Sequence, residues 1–207
     1  EVYYHKAHHW NVDRMLESLR DSLDLFTASF GAYQHKQMRV IEFPSYRSFA
    51  QSFANTVPYS EAIGFTADLR DPENIDSVYY VTAHEMAHQW FGNIVTMQWW
   101  DDLWLNEGFT SYVENRIMEQ VFGTDRAIME QALSVQDLKQ ELSSLDPDDS
   151  RLYLDLKGRD PDDAFSGVPY TKGQLFLMFL ESRFGREVFD AFVRKYFDDH
   201  AFQSITT

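Results

Sequence analysis

Cysteine is absent from the 207 residues of this chain. That excludes a disulfide framework, a cysteine zinc finger, an iron–sulfur centre and a thiol nucleophile. Long apolar runs are missing too: nothing approaches the ~20 consecutive apolar residues of a membrane-spanning helix, so no span is expected in this stretch. Basic residues are scarce, 18 Lys and Arg against 33 Asp and Glu, for a formal net charge of −15. A surface of that sign repels phosphate backbones, so nucleic acid is not expected as a partner. The sequence opens on Glu1, with neither a methionine nor a leader-like apolar stretch, and reads as a piece of a longer product. What is present points to a packed globule. Apolar residues make up 44% and aromatics 16%, far from a disordered acidic tail. A chain of this length buries about 70% of its unfolded surface without staples and makes one large domain or two small ones.

Periodicity supplies a mainly helical α+β reading. Met15, Leu16, Leu19, Leu23 and Phe26 recur at three- and four-residue spacing over Asn11–Ser29, an amphipathic helix stopped by Gly31. Met38–Phe43 alternates, is β-branched in its middle and ends at Pro44, which reads as a strand. A second strand is expected around the apolar run Ile63–Phe65, and a polar turn over Arg70–Asp76. Two long helices follow, about Ile75–Phe91 and Asp102–Phe122, the second capped by Asp101 or Asp102. Another covers about Asp125–Leu142. Leu145–Asp163, acidic and with two Asp-Pro steps, reads as an exposed loop, and residues 171–184 and 186–199 as two closing helices broken at Gly185. The sheet belongs to residues 1–70 and the helices to 71–207 of a single domain.

The chemistry is concentrated in His84-Glu85-Met86-Ala87-His88. Residues four apart on a helix share a face, so both imidazoles can meet one metal ion, and neutral imidazole is a good zinc ligand. Glu85, adjacent in sequence, is better placed to take a proton from a water than to be a third ligand. A bare H-E-x-x-H also suits an ordinary helix face. Catalytic zinc, however, needs a third protein ligand from a separate element. Eighteen residues separate His88 from Glu107, enough to end one helix, turn, and bring the next back antiparallel. His84, His88 and Glu107 then make the ligand set of a hydrolytic zinc site.

H-E-x-x-H followed at this distance by the Glu of Trp104-Leu105-Asn106-Glu107-Gly108-Phe109 resembles the gluzincin aminopeptidases, the family of aminopeptidase N and leukotriene-hydrolase-like enzymes. The likeness extends through Trp99–Phe109 and resumes at Val168-Pro169-Tyr170-Thr171-Lys172-Gly173, covering about residues 55–180. It implies a thermolysin-like catalytic domain, one Zn2+ per chain, a peptide substrate, and Tyr170 as phenol donor to the oxyanion. The family's G-x-M-E-N block, whose Glu holds the substrate's free amine, is replaced here by Pro58-Tyr59-Ser60-Glu61-Ala62-Ile63-Gly64-Phe65, with Glu61 in the place of that Glu. Divergent members fused to transporter-like membrane parts carry similar substitutions, which implies a soluble domain of a membrane-associated protein. The expected reaction is release of N-terminal residues from peptides. An endopeptidase or other zinc hydrolase on the same site, or a zinc-bound silent module of a larger membrane protein, are the alternatives.

Other candidates are weaker. His5, His8 and His9 form a terminal cluster expected to be solvated. Glu114, seven residues after Glu107, shares its helical face and could support a zinc ligand. Trp90, Trp99, Trp100 and Trp104 are expected in the core around the motif, and Asp163 on an exposed loop.

Overall fold

The computed structural model describes residues 1–71 and 75–207. Residues 72–74 of the expected polar turn lie outside the described residues. The chain is mostly helical with two small sheets, and it divides into compact units at Glu1–Gln89 and Trp90–Thr207. Among the described residues no helix is long and apolar enough to cross a membrane.

The first unit holds a parallel sheet of three strands, β1 (Val2–Tyr3), β2 (Arg39–Phe43) and β3 (Thr56–Ser60), in that order, with helices α1 (Val12–Phe30) and α2 (Ser77–Ala87). Val40 pairs in register with Val57, and Glu42 with Tyr59. The second strand is therefore at 56–60, not at 63–65. There, the side chain of Asn11 donates to the carbonyls of Gly64 and Ala67 at 2.6 and 2.9 Å and holds the segment in a turn that buries Phe65. The amphipathic stripe of α1 buries Met15, Leu19 and Phe26 as its spacing requires. Helix α1 also fixes the start of α2. Ser18 Oγ donates to the Tyr79 carbonyl at 2.8 Å, and Arg14 reaches Asp76 at 2.6 Å while lying over the Tyr79 ring. Asp76 is the N-cap of α2, accepting from the Tyr79 amide at 2.9 Å.

The second unit is helical: α3 (Trp104–Phe122), α4 (Thr124–Leu142), α5 (Gly173–Phe184) and α6 (Arg186–His200), with a two-stranded parallel sheet of β4 (Val95–Met97) and β5 (Gln203–Ile205). Gly185 separates the last two helices at φ 87°, a left-handed conformation that halts a helix cheaply only at glycine. The acidic segment 145–163 is anchored along part of its length rather than free. Leu154 and Leu156 are buried in a cluster with Leu103 and Ala164, and Asp101 accepts from both of their amides at 3.0 and 3.2 Å. Each Asp-Pro step opens a short 3-10 turn, with Asp146 or Asp160 as its cap.

Candidate active site

Helix α2 presents the motif. Val78, Tyr79, Thr82, Ala83, Glu85, Met86 and Ala87 are buried, so most of its circumference is shielded from solvent, and this is no ordinary solvent-facing helix. His84 and His88 are half-buried, one turn apart, their ring centroids 4.8 Å from each other and their planes nearly perpendicular at 83°. Two imidazoles set edge to face on one side of the helix are the arrangement the i, i+4 spacing calls for. Glu85 is 6% exposed.

Gln89, which sequence reasoning passed over, locks the end of this helix. Its Oε1 accepts from the Asn55 amide at 2.9 Å, and its Nε2 donates to Ser52 Oγ at 2.6 Å and to the Phe53 carbonyl at 2.9 Å. A buried amide with this many bonds satisfied fixes the segment leading into β3 to the motif helix. Its only sequence signal is its place directly after His88.

Glu61 follows β3 and is tied by its backbone on both sides. Its amide donates to the Phe43 carbonyl at 2.9 Å, and its carbonyl accepts from the Thr66 amide and hydroxyl at 3.0 and 2.9 Å. Its carboxylate accepts from the Ser45 amide at 3.0 Å and lies 3.6 Å from His8 Nδ1. The Ser45 amide and hydroxyl, with His8 and His5 nearby, hold that carboxyl below the usual range. His8 is not the solvated residue the sequence suggested: it is partly buried and its Nδ1 meets Glu42.

In the second unit Glu107 occupies the first turn of α3 and is 7% exposed. Neither Asp101 nor Asp102 caps this helix, whose N-cap position is Leu103. Asp102 instead accepts from the amide and hydroxyl of Thr207 at 2.9 and 2.7 Å. Asn106 Oδ1 accepts from the Met97 amide at 2.9 Å and ties α3 to β4. Tyr170 sits half-buried in a wide π-type turn, Val168–Lys172, that leads into α5. The turn is brought to α3 by two glycines. A Cβ on Gly108 would stand 3.0 Å from the Cα of Gly173 and 3.2 Å from the Pro169 carbonyl oxygen, and a Cβ on Gly173 only 2.8 Å from the Cα of Gly108. Backbone thus meets backbone one residue beyond Glu107 and three beyond Tyr170. Glu114 is buried, on the same helix. Trp90 and Trp104 are core as expected, whereas Trp99 and Trp100 are exposed, Trp100 against Phe165 at 5.8 Å.

An H-E-x-x-H helix of this kind is the mark of a metallopeptidase. The chain belongs to peptidase family M1, whose domain model matches residues 14–207. Leucine aminopeptidase 2 of Ajellomyces capsulatus is 43% identical over 130 residues, 62% of this chain and 20% of that protein. Leucine aminopeptidase 2 of Yarrowia lipolytica is 43% identical over 145 residues, 66% of this chain and 22% of that one. The chain spans about a fifth of the length of these curated relatives. Among solved structures, yeast LTA4 hydrolase in complex with bestatin is similar over 100% of this chain and 33% of its own, with a TM-score of 0.86 and 30% identity. Native leukotriene A4 hydrolase from Saccharomyces cerevisiae matches 96% of this chain with a TM-score of 0.78.

Proposed function

We propose that this thermolysin-like domain is a zinc aminopeptidase that releases N-terminal residues from peptides, with one zinc ion per chain and both units in a single catalytic domain. The observation that carries the reading is the histidine pair of the motif helix, set edge to face on its one half-buried side. We assign the ion to His84, His88 and Glu107, because two imidazoles with one carboxylate suit zinc. A bound zinc supplies Lewis-acid polarisation of the scissile carbonyl and lowers the pKa of a water towards neutrality.

The remaining work falls to the chain's own side chains. Glu85 takes the proton of the attacking water and delivers it to the leaving amine. Tyr170 donates its phenolic O–H to the carbonyl oxygen as negative charge develops there. Glu61, kept ionised by Ser45, pairs with the protonated α-amine of the substrate through a charge-assisted hydrogen bond. By its resemblance to transporter-fused relatives, the domain works as a soluble part of a membrane-associated protein.

The test is hydrolysis of aminoacyl-anilides by the zinc-loaded and zinc-stripped protein, alongside the same anilides N-acetylated. Zinc-dependent cleavage of the free-amine set alone is the expected result. Equal cleavage of both sets would make the domain an endopeptidase or a general zinc hydrolase. No cleavage in either state would make it a silent module.

A further inference from the structure

A second group of titratable side chains gathers at the end of the first unit's sheet. Alternation along a strand puts Val40 and Glu42 of β2 on one face, with their register partners Val57 and Tyr59 of β3. Glu61 directly follows β3, its amide still held on the Phe43 carbonyl of β2 at 2.9 Å. The Glu42 and Glu61 carboxylates both approach His8 Nδ1, which lies between them.

The two carboxylates differ in what they have left to offer. Glu42 has a side chain only 5% exposed, and both its oxygens are taken: Oε1 by His8 Nδ1, and Oε2 by the His5 amide at 2.5 Å. Glu61 is a quarter exposed. Its Oε1 accepts from the Ser45 amide at 3.0 Å, and its Oε2 stands 3.6 Å from His8 Nδ1, beyond hydrogen-bond reach. A carboxylate has about four lone-pair sites, so acceptor capacity remains on Glu61, towards solvent. The His8 amide donates to the His5 carbonyl at 2.7 Å, closing a tight turn that leaves the imidazole little freedom.

We propose that His8, fixed by Glu42, is a positioning residue that holds the Glu61 carboxylate in place for the α-ammonium group of a peptide substrate. The inference rests on the aminopeptidase reading above, in which Glu61 is the amine anchor. His8 separates two like charges that would otherwise repel and turns the exposed one outward. It touches neither the scissile bond nor the reacting water, so its removal acts on substrate binding rather than on the chemical step.

The experiment is a double-mutant cycle on the zinc-loaded protein. The parent, His8→Ala, Glu61→Ala and the double variant are assayed on aminoacyl-anilides with a free and with an acetylated amine, and metal content is measured for each. Glu61→Ala is expected to cost about 10–100-fold in kcat/KM on free-amine substrates. His8→Ala should cost about tenfold there, through KM, with acetylated substrates unchanged, and the double variant should be no worse than Glu61→Ala. His8→Asn, whose amide nitrogen replaces Nδ1, should recover most of the loss. Additive losses, or an equal slowing on acetylated substrates, would overturn the positioning role. So would a second metal equivalent that disappears in His8→Ala, because the donor atoms of His8, Glu42 and Glu61 lie within 4.8 Å of one another and could hold a cation instead. If His8→Ala loses its thermal transition, Glu42→Gln is read in its place with the same expectation. A Glu61→Ala variant with full activity on free amines refutes the anchor reading itself. Strong loss in Glu61→Ala with none in His8→Ala refutes only the positioning role.

Discussion

The two units hold their functional side chains by different physics. In the first, the pins are polar. Asp76 caps the motif helix, Gln89 ties its end to the segment before β3, and Ser45 and His8 flank Glu61. In the second, the decisive pin is steric: Gly108 and Gly173 let two backbones approach until no Cβ fits, one residue past Glu107 and three past Tyr170. Polar pins are removed one at a time, with graded losses. A backbone contact has no side chain to give way, so a single methyl group displaces everything attached to it.

The largest effects should come from the residues to which the proposed function gives the chemistry. Glu85→Gln is expected to lower kcat by about 10²–10⁴, the usual worth of a general base. Zinc content by elemental analysis should stay at the parent level, whereas His88→Ala should lose most of the metal. Zinc loss in Glu85→Gln would make Glu85 a ligand and overturn its role. Next is Tyr170→Phe, with an expected loss of about 10²–10³ in kcat and an unchanged KM, the signature of an interaction formed only in the transition state. A raised KM at constant kcat would mark Tyr170 as a ground-state contact.

The comparison itself is put at risk by Gly173→Ala and Asp76→Ala, measured by thermal and denaturant unfolding. Gly173→Ala forces a methyl group against the Gly108 backbone and should cost about 1–3 kcal/mol, the range of an overpacked core. It should also lower kcat, because the Tyr170 turn shifts with it. Asp76→Ala removes a helix cap at a cost of about 1–2 kcal/mol, and Asp76→Asn, an equally good cap, should recover most of that. Kinetics of the Asp76 variants should stay close to the parent's at temperatures where they are folded. If Gly173→Ala proves neutral in both stability and kcat, steric pinning of the second unit is wrong.

What could be read from the sequence follows the same division. His84, Glu85 and His88 were legible because a helix fixes the relation of residues four apart, and α1 because its apolar stripe repeats with the helical period. Gly185 was legible as a stop because its requirement is local. The strand Thr56–Ser60 was missed for the apolar Ile63–Phe65, since what decides between them is the distant Asn11 side chain, which captures the carbonyls of Gly64 and Ala67. The short strands β4 and β5 contain three residues each, too few for any pattern to register. Asp101 and Asp102 look like helix caps, yet they bond to Leu154, Leu156 and Thr207, up to 105 positions away. The meeting of Gly108 with Gly173 leaves no local trace either, and His8 reveals its partner only once β2 is in place.

The smallest expected effect is the most specific to a polar pin. Two groups of Ser45 lower the Glu61 carboxyl, the amide first and the hydroxyl second. Ser45→Ala removes the second alone, so the Glu61 titration should rise towards the ordinary value of about 4.3 without reaching it. Because the folded-state value lies below the unfolded one, Glu61 contributes stability above its ordinary range, and that contribution is lost as the pH falls through the folded value. The variant should accordingly match the parent at pH 7. As the pH falls towards the folded value, Glu61 of the variant takes up its proton before the parent's does, and KM for free-amine substrates should begin to rise at a higher pH in the variant than in the parent. Carbon-13 NMR titration of the Glu61 carboxyl reads the shift directly. An unmoved titration would show that the amide alone sets the charge of the anchor, and the pH effect on KM should then vanish with it.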